Sequence, residues 1–213
     1  MAKTEPFDKY LYDYEKWFKE NQYVYGSEIQ AVRHFIPIGG KGIEIGIGTG
    51  RFAIPFGIKE GVEPSDSMRN YSLRLGLTVY NGVAEKLPLD NETYDFALMI
   101  TTICFVDDVN KSFGEIKRII KPGGIFIIGL VDKNTTLGKV YEKIKSQNKF
   151  YKDATFYSTD EVKKLLVQNQ FIKIEVVQTV FGELSEIRSV QAFKEGYGEG
   201  GFVVIKACKE EVF

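Results

Sequence analysis

The stretch from Gly42 to Ala53, Gly-Ile-Glu-Ile-Gly-Ile-Gly-Thr-Gly-Arg-Phe-Ala, restricts this chain more than any other. Ile43 and Ile45 read as a short buried strand, and Gly46, Gly48 and Gly50 follow at alternate positions. Glycines so spaced clear one side of a turn of side chains, so a ligand can lie against the backbone, and they reach positive φ without steric cost. The expected element is a strand, a tight loop and a helix start, with a small-molecule pocket above the carboxyl end of the strand. The competing reading is a plain structural turn.

Spacing selects the kind of ligand. In the dinucleotide fingerprint Gly-x-Gly-x-x-Gly, the third glycine lets the helix pack close while the pyrophosphate sits on its N-terminus. Counted from Gly46, that third position is Arg51, so the fingerprint fails. Glu44, two residues before Gly46, would repel a pyrophosphate but can accept hydrogen bonds from a cationic amino group. The pattern resembles motif I of the class I S-adenosylmethionine-dependent methyltransferases. The resemblance implies that Glu44 with the loop Gly46, Ile47, Gly48 and Gly50 holds the amino acid part of S-adenosylmethionine.

A second strand is expected at Glu60–Glu63, turned by Pro64-Ser65-Asp66 into a helix carrying Met68, Tyr71, Leu73 and Leu75. Glu63 stands 17 positions beyond Gly46. An acidic residue about 20 positions after a glycine turn, at the end of the second strand, is placed to accept both ribose hydroxyls of an adenosine, with Pro64 beside it. After a third strand at Leu77–Tyr80 comes Gly82-Val83-Ala84-Glu85-Lys86-Leu87-Pro88, then the apolar strand Tyr94–Ile100. This order is similar to the adenine-side segment of the small-molecule class I methyltransferases. It implies Ala84 and Glu85 at the adenine, and Ile100 with Thr101 as a floor beneath the methionine. Many relatives carry an aspartate at the position of Val83, and a pair of histidines where this chain has Cys104 and Phe105. Cys104 has neither a nearby histidine nor a cationic neighbour to activate it and reads as a packed thiol. Asp107 or Asp108 reads as the cap of the next helix, with a catalytic base as the alternative.

At 44% hydrophobic and 27% charged residues, 213 residues suit one soluble domain with a substantial core. A net charge of -1 gives no basis for nucleic-acid binding. No apolar run approaches the roughly 20 residues that span a bilayer. Met1–Pro6 has no apolar core and is read as no secretory signal. Two cysteines form neither a disulfide framework nor a zinc pattern, which makes a cytoplasmic location the default expectation and leaves no candidate metal site. His34, the sole histidine, has no metal-ligand partner at useful spacing and reads as structural.

The flanks complete a single domain over 1–213. Apolar residues at helical spacing (Phe7, Tyr10, Leu11, Tyr14, Trp17, Phe18, then Ile29, Val32, Ile36) make residues 1–40 a helical cap that covers the sheet edge or closes as a lid. Arg118 to Gly124 reads as a helix end and tight turn into the strand Ile125–Val131. A basic helix to Lys149 is expected to present Lys139, Lys143, Lys145 and Lys149 to solvent. Ser158-Thr159-Asp160-Glu161 reads as a capping box. Strands are expected at Phe171–Phe181 and Gly201–Ala207, and the 182–200 segment between them is too long for a tight hairpin, as functional or mobile loops often are.

The resemblance implies an α/β fold, a doubly wound, Rossmann-like methyltransferase sheet of seven strands, six parallel and the last antiparallel, with the cofactor at the switch between the first and fourth strands. It implies methyl transfer from S-adenosylmethionine to a small-molecule acceptor, leaving S-adenosylhomocysteine. No catalytic base stands out, although Tyr12, Asp107 and the loop after Gly182 could reach the site. A non-catalytic module binding the same cofactor, and a nicotinamide-dependent oxidoreductase on a similar sheet, remain as alternatives.

Overall fold

The computed structural model describes residues 3–211, so Met1, Ala2, Val212 and Phe213 lie outside it. Five strands run parallel: β1 (Gly42–Ile45), β2 (Glu60–Val62), β3 (Thr78–Tyr80), β4 (Tyr94–Ile100) and β5 (Ile120–Val131). Three more complete the sheet: β6 (Phe171–Thr179), β7 (Lys194–Glu195) and β8 (Phe202–Lys209). Antiparallel pairing of β8 with β5, and of β6 with β8, makes β6 point the same way as the first five. The order β3-β2-β1-β4-β5-β8-β6-β7 reverses its direction of growth between β1 and β4, and there a crevice opens at the carboxyl ends of the strands.

Among the described residues the sheet therefore has eight strands, where the sequence suggests seven. The extra one, β7, pairs with Val177 and Gln178. Its two residues, Lys194 and Glu195, are exposed and charged, so neither periodicity nor propensity marks them.

Helices α1 (Glu5–Lys9), α2 (Leu11–Glu20) and α3 (Gln22–Arg33) precede the sheet, followed by α4 (Asp66–Arg74), α5 (Val109–Ile119), α6 (Thr136–Ile144) and α7 (Thr159–Gln168). The pleat of β4 serves both cores at once: Ala97 and Met99 face Phe113, Ile116 and Leu166, while Phe96, Leu98 and Ile100 face Phe18, Val32 and Val204. A strand covered on both faces must be apolar throughout, as Tyr94–Ile100 nearly is. Ser65, Asp108 and Ser158 cap α4, α5 and α7, the last through a complete capping box with Glu161.

Three local departures have simple causes. After the glycine loop only one 3-10 turn forms, Ile54–Phe56, because Pro55 and the left-handed Gly57 stop propagation. The expected turn at 121–124 is a bulged start of β5, where pairing steps from Tyr94↔Ile120 to Phe96↔Ile125. The 182–200 segment is pinned to α3, with the Gln191 N–H donating to Ser27 Oγ at 2.8 Å and Val190 lying against Gly26. No helix among the described residues is long and apolar enough to cross a membrane.

Candidate functional site

The crevice holds a cavity of about 920 Å³, near the upper end of the size of ligand sites. Its floor is the glycine loop. The N–H groups of Gly46 and Ile47 both donate to the Val62 carbonyl, at 2.8 and 3.1 Å, which fastens the loop to the end of β2. Gly48 is held from both sides, donating to Glu63 Oε2 at 2.9 Å and accepting from Ser72 Oγ at 2.6 Å. Its φ of +55° and the Tyr14 hydroxyl 3.2 Å from where a Cβ would stand leave glycine as the fitting residue.

Glu63 closes the end of β2. Its Oε1 accepts from the Ser65 N–H at 2.8 Å, so each oxygen takes one backbone donor and keeps acceptor capacity for a ligand. Burial pushes its pKa up to about 7, against the lowering effect of the two backbone donors and Arg69. The turn beneath it is anchored by Asp8 of α1, which accepts from Ser65 Oγ at 2.6 Å and from the Ser67 N–H at 3.1 Å.

Across the crevice, β4 is followed by Thr101, a threonine with φ +51° whose N–H donates to the Gly129 carbonyl at 2.8 Å. A β-branched residue in that region is strained, and such residues gather at functional sites. Beside Ala84, Glu85 Oε1 accepts from the N–H groups of Asp107 and Asp108, at 2.6 and 3.2 Å. Arg118 braces the same segment from α5, reaching the Leu87 and Leu89 carbonyls at 3.0 and 2.7 Å while pairing with Glu115. Cys104 is buried, donates to the Thr101 carbonyl, and has its thiol pushed up to about 12 by burial, so it is no nucleophile.

The N-terminal helices form the roof. Tyr14, Trp17, Phe18 and Glu28 line the cavity from α2 and α3, and Tyr141 and Tyr151 meet them from the α6 side. Glu15 ties the roof to the floor, accepting from Thr49 Oγ1 at 2.6 Å and forming a two-armed ion pair with Arg51. Lys149 pairs with Asp13 and lies over the Tyr10 ring, so it is a tether as well as a solvated charge. Tyr12 is 76% exposed and does not line the cavity, whereas Asp107 and Leu184 do reach the wall.

Comparison with known proteins agrees with this geometry. A family profile described as "Methyltransferase domain" matches residues 43–128. A crystal structure of a Thermotoga maritima protein, described as an S-adenosylmethionine-dependent methyltransferase and possible histamine N-methyltransferase, is 48% identical, with a TM-score of 0.94 over 97% of this chain and 99% of that one. The chain belongs to the class I S-adenosylmethionine-dependent methyltransferases. An uncharacterized protein of Methanocaldococcus jannaschii is 47% identical across 95% of this chain and 98% of its own. A Haemonchus contortus phosphoethanolamine N-methyltransferase, solved with phosphomonomethylethanolamine and S-adenosylhomocysteine, shares the fold at 18% identity and a TM-score of 0.64, over 86% of this chain and 52% of that one.

In this methyltransferase, Gly46, Gly48, Glu63, Pro64, Ala84, Glu85, Ile100 and Thr101 lie on the cavity wall. Glu44, Ile47 and Gly50 lie behind it. Ile47 fills the space over Gly61, and Gly50 abuts Leu77 and Ile54. Glu44 is 2% exposed on β1, and burial pushes its pKa well up despite a hydrogen bond from the Ala53 N–H. Its Oε2 has no partner among the described residues. An orphaned acceptor under a side-chain-free loop, beside a carboxylate with unused lone pairs, fits a ligand carrying an ammonium and a ribose. No three His, Cys, Asp or Glu among the described residues are grouped to hold a metal. Tyr14 lines the cavity as a residue of the expected cap or lid, whereas sequence reasoning missed Glu15 and Glu28, since acidic residues on an amphipathic helix look the same whether they face solvent or a cavity.

Proposed function

We propose that this methyltransferase transfers the methyl group of S-adenosylmethionine to a small-molecule acceptor housed under the N-terminal helices. The observation that carries the proposal is Glu63, a buried carboxylate fixed by the backbone of Gly48 and Ser65 at the switch point, with acceptor capacity left over. Glu63 receives the ribose hydroxyls, the glycine loop with Glu44 behind it holds the amino acid part, Ala84 and Glu85 flank the adenine, and Ile100 and Thr101 support the methionine. When bound, the cofactor supplies a sulfonium methyl already activated for in-line attack. The protein contributes proximity, alignment and exclusion of water. Lining by Phe7, Tyr14, Trp17, Phe18 and Phe150 supports a dry acceptor compartment, and residues 5–33 act as its lid. The Thermotoga relative's description, a possible histamine N-methyltransferase, supports an acceptor of small size.

The test is incubation with S-adenosylmethionine labelled in the methyl group and pools of small molecules sorted by nucleophile. Label should move into one pool. Tight S-adenosylhomocysteine binding with no transfer to any pool would instead assign a non-catalytic binding module, a reading supported by Cys104 and Phe105, which stand where many members of the family that the motifs resemble carry histidines.

A further inference from the structure

The cavity that the cofactor motifs line is also lined by Glu28 of α3 and Tyr141 of α6. There Glu28 has 7% exposure and contributes to the wall. Its carboxylate differs from the other buried acids of the site. Glu15 holds Thr49 and Arg51, and Glu63 holds two backbone N–H groups. Glu28 has no hydrogen-bond or ion-pair partner among the described residues, and burial alone acts on it, pushing its pKa up to about 8. Tyr141 and Tyr151 stand close enough for its charge to raise both phenols further, and their rings meet edge to face at 5.2 Å.

A buried carboxylate without a partner is costly unless a ligand completes it. A cation completes it, and aromatic faces around the same space favour a cation further. A cation draws Glu28 into its ionised form and pairs with it, whereas an alcohol or an acid meets the protonated carboxyl as a neutral hydrogen-bond partner and gains no ion pair. We infer that Glu28 is the acceptor anchor of this cavity and that the methyl acceptor is a small amine, bound as an ammonium between Glu28, Tyr141 and Tyr151; the ammonium gives one proton to the Glu28 carboxylate, and the freed nitrogen lone pair forms the new N–C bond as the S–methyl bond of S-adenosylmethionine breaks, leaving S-adenosylhomocysteine and the methylated ammonium. The inference rests on the proposed function and deepens it.

The experiment uses the full chain saturated with S-adenosylhomocysteine, titrated by calorimetry with phenethylamine, 2-phenylethanol and phenylacetate, which share a ring and differ in charge, and with histamine. At least one amine should bind about tenfold or more tighter than the alcohol and the acid, as one desolvated ion pair with cation–π support can supply. Glu28→Gln should abolish that preference while leaving S-adenosylhomocysteine affinity within about twofold and the melting transition cooperative. Titrations at pH 7 in two buffers of different ionisation heat should show a proton released on amine binding to the wild type and none for Glu28→Gln, a readout that a merely structural glutamate would not move. Tyr141→Leu, which keeps the carboxylate, should weaken the amine alone. Binding of neither amine, equal binding of the alcohol or acid, or unchanged amine affinity in Glu28→Gln would overturn the inference. If S-adenosylhomocysteine binds and the amine preference is absent, only this inference falls. Should S-adenosylhomocysteine itself not bind, the proposed function falls first.

Discussion

Ligand affinity should depend on pH through one carboxylate. Glu63 has its pKa pushed up to about 7 by burial, and an ionised Glu63 is the stronger acceptor for two hydroxyl donors. About one carboxylate in eleven is ionised at pH 6 and about ten in eleven at pH 8, so apparent affinity for S-adenosylhomocysteine should rise roughly tenfold between them. The direction is fixed: protonation competes with the ligand, so acid weakens binding. Glu63→Gln removes the titrating group. Its single acceptor oxygen also leaves either the Gly48 or the Ser65 N–H facing an amide NH2, which costs about 1–3 kcal/mol of loop organisation or binding. Calorimetric titration of both proteins at pH 6, 7 and 8 tests this. A wild-type affinity that does not change with pH, or an equal slope in Glu63→Gln, would refute the reasoning.

Other expectations follow from the same geometry. Glu28 has a folded-state pKa near 8, well above the 4.5 of an unfolded glutamate, so the ligand-free protein should lose stability as pH rises through that window. The loss over the whole window is about 5 kcal/mol at most, and Glu28→Gln should flatten the fall when melting is followed from pH 5 to 8. Gly48→Ala places a Cβ at φ +55°, 3.2 Å from the Tyr14 hydroxyl, and should cost about 1–2 kcal/mol in urea unfolding along with weaker S-adenosylhomocysteine binding. Glu15→Ala strips the partner from Thr49 and Arg51 and should destabilise by about 1–3 kcal/mol, with faster proteolytic cleavage in residues 5–33 than in the sheet.

The parts of this molecule that could be read from its sequence are those in which a residue type has one physical use. Alternate glycines after Ile45 force a side-chain-free turn, and all three take positive φ. Strand β4 is apolar because it is covered on both faces, and Ser158 with Glu161 closes a capping box. Arg51 was legible only as an exclusion, the residue that spoils a dinucleotide fingerprint. The structure gives it a positive role, since its guanidinium holds Glu15 and with it α2. That pairing spans 36 positions and leaves no periodic trace. Glu28 was invisible for a related reason: it sits on a helix whose polar and apolar residues alternate normally, and only the cavity opposite it separates a buried anchor from a solvated charge. Glu85 shows the reverse difficulty. Glu85 of the Gly-x-Ala-Glu-x-Leu-Pro motif stands on the cavity wall, yet one of its oxygens is spent on the backbone ahead of α5. Position was legible there, and side-chain use was not.

The central claim is that the glycine loop and Glu63 bind S-adenosylmethionine and its product. The most direct measurement is calorimetric titration with S-adenosylhomocysteine and, separately, with NADH, each paired with a melting curve. The expected result is saturable binding of S-adenosylhomocysteine alone, with stabilisation approaching about 2.7 kcal/mol at 100 times its dissociation constant. Binding of NADH, or of neither compound, would contradict the account.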